Sequence, residues 1–310
     1  MSVYTELSPA EVGDILAGYD LGALRGLQGI AAGIENSNFF VDTDRGRFVL
    51  TIFERMAPEE LPWFMRLMCH LHQRGFPCPQ PARSRDGTLL FDYGEKRGCI
   101  VSCLPGAVVE RLNRGQLAEA GATLARLHLA GADFTPARAN PTGADWLART
   151  AEQVAEPLAA RYGTEAAALL RDELAWQQAQ RPPSLPTGII HGDYFCDNIL
   201  FDGDRVSGVI DLYYAHSAPW VMDIAIAINA LAITLEQKDE ARSRALLDGY
   251  QARRPLDADE LAALPGLLRL AALRFWLSRL FDLFFPRDGA MTQVKDPEEY
   301  RHKLRYHRGN

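Results

Sequence analysis

His191-Gly192-Asp193-Tyr194-Phe195-Cys196-Asp197-Asn198-Ile199-Leu200-Phe201, followed by Val209-Ile210-Asp211-Leu212-Tyr213, concentrates more chemistry than any other part of this 310-residue chain. Apolar Ile189 and Ile190 lead into it, and Ile199, Leu200 and Phe201 lead out. Asp202-Gly203-Asp204-Arg205 is a tight-turn signal, after which Val206 to Ile210 returns as a second strand. Asp193 and Asn198 therefore share one short loop, with Asp211 just past a neighbouring strand. Polar groups that end apolar strands converge in this way at one edge of a small sheet.

Such a set suits phosphoryl transfer, which needs a carboxylate to orient and deprotonate a hydroxyl and oxygen ligands to hold a divalent metal against nucleotide phosphates. Asp193 is the candidate base, and Asn198 and Asp211 are the candidate magnesium ligands. The order D-x-x-x-x-N, then Asp after a hairpin, is the order of catalytic and metal-binding loops in protein kinases. His191-Gly192-Asp193 stands where a kinase carries His-Arg-Asp. The competing reading is a surface hairpin with ordinary turn acids. The two framing strands and the second aspartate weigh against it.

The length exceeds that of a usual single domain and fits two lobes sharing a cleft. With 47% hydrophobic and 24% charged residues, the chain has ample core material. Its net charge of -7, with dispersed acids, argues against nucleic acid or an anionic membrane as partner. Met1-Ser-Val-Tyr-Thr-Glu6 shows no basic segment followed by an apolar run, and no uncharged apolar run reaches the roughly 20 residues of a membrane span. The five cysteines (Cys69, Cys78, Cys99, Cys103 and Cys196) are odd in number and lack zinc spacing. They read as reduced thiols of a cytoplasmic protein.

In the first third, Ser8-Pro9-Ala10-Glu11 supplies the cap, proline and acid of a short helix over 7–19. A glycine-rich segment from Gly26 through Gly33, Asn36 and Ser37 to Val41 lies between strand-like runs. It could bring backbone amides against phosphate oxygens, or be an ordinary hairpin. No P-loop occurs. Arg47 to Phe53 reads as a strand, with Val49 and Thr51 on one face. Thr51 stands where a kinase-like strand carries its phosphate-binding lysine. The four lysines (Lys96, Lys238, Lys295 and Lys303) are all distant from it in sequence, leaving Arg47, Arg55, backbone amides or the metal to meet the phosphates. An amphipathic helix spans Glu59 to Arg74 and ends at Gly75, and Leu89–Phe91 pairs with Cys99–Ser102 in a hairpin. Cys103-Leu104-Pro105 then breaks the pattern. The lobe boundary is set there, giving lobes 1–103 and 104–310, with an adenine expected at the Ser102 to Leu104 hinge.

Beyond it, Asn113-x-x-Gln116 opens a helix through Leu129 that carries His128 on its apolar face, more in keeping with a satisfied core histidine than a ligand. Two helices fall within 144–180, one runs from Ala218 to Gln237, a short one covers 239–250, and a long one spans 258–285. Asp223 is either a first-turn acid favoured by the helix dipole or a brace for the catalytic loop. On the long helix, Arg274, Ser278 and Asp282 recur every fourth residue as a narrow polar stripe. Arg274 and Asp282 lie about 12 Å apart along the axis, whereas Arg279 and Asp282 are spaced to pair. Salt bridges to other helices and a charged substrate both account for the stripe. Lys303 to Arg308 reads as a solvated basic tail.

His191-Gly-Asp193-x-x-x-x-Asn198, Ile210-Asp211, Leu124-Ala-x-Leu-His128 and Pro219-Trp-x-x-Asp223 together resemble the aminoglycoside phosphotransferase/choline kinase-like family along nearly the whole chain. Gly33-Ile-Glu-Asn36-Ser37-Asn38-Phe-Phe, Ala272-Leu-Arg274-Phe-Trp-Leu-Ser-Arg279 and Lys295-Asp296-Pro297 are similar to its homoserine kinase branch. The resemblance implies an α+β, two-lobed, protein-kinase-like fold, with a small antiparallel sheet and one main helix in the N-lobe and a mostly helical C-lobe carrying a catalytic β-hairpin. It implies ATP and Mg2+, with L-homoserine as acceptor. By position, Asp193 becomes the base and Asn198 and Asp211 the metal ligands. Gly33, Asn36, Ser37, Val49, Thr51, Ser102 and Leu104 line the nucleotide, and His191 and Asp223 support the loop. Arg274 and Arg279 are candidates for the acceptor's carboxylate.

Overall fold

The computed structural model describes residues 4–30, 36–180, 184–233, 240–286 and 295–309. Gly33 and the tail of the helix expected up to Gln237 lie outside them. The chain divides into two compact units, one holding the residues up to Pro105 together with Gly208–Ile210 and the other most of the remainder.

The N-terminal unit begins with helix α1 (Pro9–Leu16). Ser8 Oγ accepts from the Glu11 amide at 3.3 Å and Glu11 returns the bond to the Ser8 amide at 2.8 Å, a closed capping box. Five antiparallel strands follow in the order β1-β2-β3-β5-β4: β1 (Leu24–Gly29), β2 (Ser37–Thr43), β3 (Gly46–Phe53), β4 (Phe91–Tyr93) and β5 (Lys96–Ser102). One sheet face buries Phe39, Val41, Leu50, Ile52 and Ile100 with Val12 and Leu16 of α1. Helix α2 (Leu61–Gln73) buries Leu61, Phe64, Met65, Leu67, Met68 and Leu71 at helical spacing. The hairpin expected from Leu89 is displaced: its turn is at Gly94, whose φ of 59° suits glycine, so the first strand starts at Phe91.

The C-terminal unit contains β6 (Ala107–Val108), α3 (Arg114–Ala130), α4 (Ala144–Tyr162), α5 (Thr164–Ala179), β7 (Thr187–Ile190), β8 (Ile199–Asp202), β9 (Arg205–Val209), β10 (His216–Pro219), α6 (Trp220–Ala227), α7 (Glu240–Gln251), α8 (Ala258–Phe284) and α9 (Pro297–Arg308). β9 ends among the residues grouped with the first unit. Asn113 and Gln116 form a reciprocal capping box on α3, as Asp257 and Glu260 do on α8. The backbones of α3 and α7 nearly touch. A methyl on Gly249 would lie 2.0 Å from the Ala118 carbonyl oxygen, and one on Gly121 2.0 Å from that of Leu246. Helix α8 is apolar and long enough to cross a membrane, but it packs against α4, α6 and α9.

Two sequence expectations change here. The Ala218 helix starts two residues later because Ala218 and Pro219 pair with Gly188 and Thr187 as strand. It then passes into a single π turn over Ile228–Ala232. Arg242, buried, donates to the Leu231 and Ala232 carbonyls and so satisfies that helix end. The basic tail is not solvated. It forms α9, buries Tyr300 and Leu304 completely and leaves Lys303 only 2% exposed. Lys303 bonds the Asn229 carbonyl at 2.7 Å and pairs with Glu299 at 2.5 Å.

Candidate active site

The antiparallel pairing of β7 with β10, from Thr187↔Pro219 to Ile190↔His216, delivers His191 to the sheet edge and starts α6 beside it. Asp223, in the first turn of α6, is fully buried and accepts from the His191 amide at 2.7 Å and the Gly192 amide at 3.0 Å. Asp223 is thus both a first-turn acid of α6 and an acceptor for two loop amides. Burial pushes the Asp223 carboxyl up, but hydrogen bonds from His128 and the His191 amide outweigh it and hold the group below its ordinary value. His128 Nε2 lies 3.1 Å from Asp223 Oδ2, so His128 is a satisfied core histidine.

Gly192 has φ of 77°, and a Cβ there would stand 2.7 Å from the Tyr214 carbonyl oxygen. A side chain at this point, such as the arginine of His-Arg-Asp, would be both strained and obstructed. The turn sets Asp193 half-buried on the loop, its amide donating to His191 Nδ1 at 3.2 Å. Asn198 Nδ2 then ties the loop together, donating to the Asp193 carbonyl at 2.8 Å and to Asp193 Oδ2 at 3.2 Å. Both Asn198 donors are engaged at Asp193, so the amide oxygen is the atom of that side chain suited to a cation. Burial raises the pKa of Asp193 against the opposing charges of Arg274 and His191.

Asp211 is exposed and is the one non-glycine residue with positive φ among those described, at φ 60° and ψ 58°. Aspartate tolerates this left-handed conformation better than most side chains, and backbone strain of this kind gathers at functional sites. One amide oxygen and one exposed carboxylate fit magnesium, which retains several waters and takes few protein ligands beside phosphate. No group of three or more His, Cys, Asp or Glu able to hold a metal occurs among the described residues.

Arg274 comes to the same loop from α8. It is 5% exposed, and its Nη1 donates to the Gly192 carbonyl at 2.5 Å. Its Nε is buried without a hydrogen-bond partner. Arg279, one turn further, is held elsewhere: it pairs with Glu299 at 2.6 Å and donates to the Asp296 carbonyl at 2.7 Å. These partners reach Arg279 because α9 packs against α8. Lys295 pairs with Asp197 at 3.0 Å and lies 5.4 Å from the Phe195 ring centre, while Phe195 packs edge-on against Phe275.

In the N-terminal unit the expected nucleotide residues have internal partners. Ser37, fully buried, accepts from the Tyr4 and Thr5 amides and donates to Glu54 at 2.5 Å. Thr51 donates to Asn38 Oδ1 at 2.8 Å. Asn36 Oδ1 accepts from the Glu54 amide at 3.4 Å, and Ser102 Oγ accepts from the Gln80 amide at 2.9 Å. Val49 pairs with Phe40 and Val101, and Leu104 is half-buried. Lysine is not distant from β3 after all. Pairing with β5 brings Lys96 to its end, where the ammonium is ion-paired with buried Glu54. Arg47 is paired with Asp42 at 2.6 Å. The Lys96–Glu54 pair and the Arg274 contact had no local signal in the sequence, since each joins residues more than 40 positions apart.

The family model described as "Phosphotransferase enzyme family" matches residues 26–258. The homoserine kinase of Methylobacillus flagellatus is 46% identical over 307 residues, covering 99% of this chain and 95% of that protein. That of Azorhizobium caulinodans is 44% identical, covering 99% and 96%. Among solved structures, amicoumacin kinase hAmiN in complex with AMP-PNP, Ca2+ and Ami aligns with a TM-score of 0.68 at 16% identity, covering 96% of this chain and 94% of that one. This last likeness shows the fold, which is α+β and protein-kinase-like.

Proposed function

The chain belongs to the phosphotransferase enzyme family, and from that premise we propose that it transfers the γ-phosphoryl group of ATP to the side-chain hydroxyl of L-homoserine, forming O-phospho-L-homoserine for threonine biosynthesis. The observation that carries the chemistry is the mutual bonding of Asp193 and Asn198 on a loop whose preceding amides are clamped by Asp223.

In this reading Asp193 orients the acceptor hydroxyl for in-line attack and receives its proton. Burial raises its proton affinity, and the charge of Arg274 opposes that rise. Mg2+ is the metal we assign to Asn198 and Asp211, where it would offset charge on the phosphate oxygens. Arg274 takes the acceptor's carboxylate through its unpartnered Nε side, whereas Arg279 serves chiefly to hold α9. Residues 1–103 form the nucleotide-binding lobe and residues 104–310 the catalytic lobe. Gly33, Asn36, Ser37, Val49, Thr51, Ser102 and Leu104 are assigned to the nucleotide, the polar ones among them largely through backbone groups, given their internally bonded side chains. Reduced cysteines and dependence on ATP fit the cytoplasm.

The experiment is ADP release by the purified protein with Mg-ATP and L-homoserine, L-serine, L-threonine, choline, kanamycin or methylthioribose. Release selective for L-homoserine is expected. Selective release with another acceptor would overturn the substrate while keeping the Asp193 chemistry, and silence across the panel would overturn the activity.

A further inference from the structure

Behind the catalytic loop a line of hydrogen bonds runs through the C-terminal unit to residues with no place in the reaction. Asp223 receives the His191 and Gly192 amides and also His128 Nε2, at 3.1 Å. His128 Nδ1 is 2.7 Å from the Tyr250 hydroxyl. Arg254 Nη1 donates to that hydroxyl at 3.3 Å, and its Nη2 donates to Glu260 at 2.9 Å. Trp220 lies parallel to the His128 ring within 8°, and the Arg254 guanidinium stands 4.5 Å from the Trp220 ring centre.

Proton bookkeeping leaves one arrangement. The Asp223 carboxylate only accepts, so His128 Nε2 carries a proton. Arg254 can only donate to the Tyr250 hydroxyl, which leaves that hydroxyl's own proton for His128, so Nδ1 accepts. Burial, which disfavours a second proton on the imidazole, agrees with this. Donation therefore runs from Arg254 through Tyr250 and His128 to the Asp223 carboxylate, which also receives the two loop amides.

We propose that Tyr250 and Arg254 are positioning residues for phosphoryl transfer: they lock His128 in the Nε2–H tautomer, which holds the Asp223 carboxylate in the orientation that fixes the His191 and Gly192 amides and so aims Asp193. The inference rests on the reading of Asp193 as the catalytic base. If His128 flipped to the other tautomer, its Nε2 lone pair would face the carboxylate and loosen the clamp. A shift of about 1 Å between reacting groups can cost on the order of 100-fold in rate, so a partial loosening is expected to cost about tenfold.

The test has a structural and a kinetic arm. Ring 15N shifts of His128 in the wild-type protein, assigned through its ring-to-backbone couplings, are expected to report the Nε2–H tautomer, and the Nδ1–H form would overturn the proposal. In Tyr250→Phe, kcat for L-homoserine should fall about tenfold with KM for ATP changed less than about twofold, and the ring should become a tautomer mixture. An unchanged kcat, or an unchanged tautomer, would overturn it. Should that variant fail to fold, Arg254→Lys, which keeps a donor for Tyr250, should retain more kcat than Arg254→Met, and equal losses would count against the relay. A wild-type protein inert toward every acceptor would refute the proposed activity, while the 15N arm would still decide the relay.

Discussion

Replacing Asp223 by Asn tests the clamp at its centre. The carboxylate takes three donors: the His191 amide and His128 Nε2 share Oδ2, and the Gly192 amide uses Oδ1. An asparagine oxygen at the Oδ2 position keeps the first two, but its NH2 then faces the Gly192 N–H. One buried donor loses its partner and meets another donor, and two bonds lose their charge. A hydrogen bond to a charged group contributes about 1.5–3 kcal/mol and an orphaned buried donor costs a similar amount, so the loss is about 3 kcal/mol. For a domain of 150–250 residues, at roughly 3 °C per kcal/mol, Tm falls by about 9 °C. Differential scanning calorimetry at neutral pH measures it. The difference should also depend on pH. The folded-state pKa of Asp223 lies below its ordinary value of 3.8, so the wild-type advantage is complete above that value. It shrinks as pH falls through the lowered pKa and the carboxyl protonates. A Tm loss under about 2 °C at neutral pH would refute the reasoning, because it would mean that the carboxylate's bonds do not hold the loop.

Asp193→Asn is nearly isosteric and should lower kcat by about 100- to 10,000-fold while isothermal titration shows ATP affinity preserved; near-wild-type turnover would remove Asp193 as base. Burial lowers the pKa of His307 to about 4, so the unfolded chain binds the extra proton between its ordinary 6.5 and that value. Stability therefore declines as pH falls across this window, and His307→Gln should flatten the decline by up to about 1.4 kcal/mol per pH unit, read from urea midpoints. Gly249→Ala would press a methyl to 2.0 Å from the Ala118 carbonyl oxygen. Forcing α3 and α7 apart should destabilise by about 2–3 kcal/mol in the same assay.

Much of the architecture was legible because the signals are local. Ser8 with Glu11 and Asn113 with Gln116 lie three residues apart, and a cap is formed by neighbours whatever the rest of the chain does. The Asp193–Asn198 loop was legible for the same reason, since two apolar strands and a tight turn frame it, although the distant Asp223 and Arg274 that hold it were not. Gly192 was readable as part of a motif, but the Tyr214 carbonyl that forbids a side chain there was not. Amphipathic α2 showed its buried face by period, whereas α9 misled. Its run of charges looks solvated until Glu299 and the Asn229 carbonyl are known to receive Lys303, and Glu299 to receive Arg279 as well.

The sequence by itself determined the α+β class, most helices and the family, and it put Asp193 and Asn198 on one loop, since those rest on spacing along a few residues. Tertiary structure alone decided the partners of the buried charges: Lys96 with Glu54, Arg279 with Glu299, Arg274 with the Gly192 carbonyl, and His128 between Tyr250 and Asp223. The physical reason is that a buried charge must be paired, but any opposite charge or carbonyl will do. Which one is chosen depends on how helices and strands separated by 20 to more than 100 residues pack, and no local pattern encodes that choice.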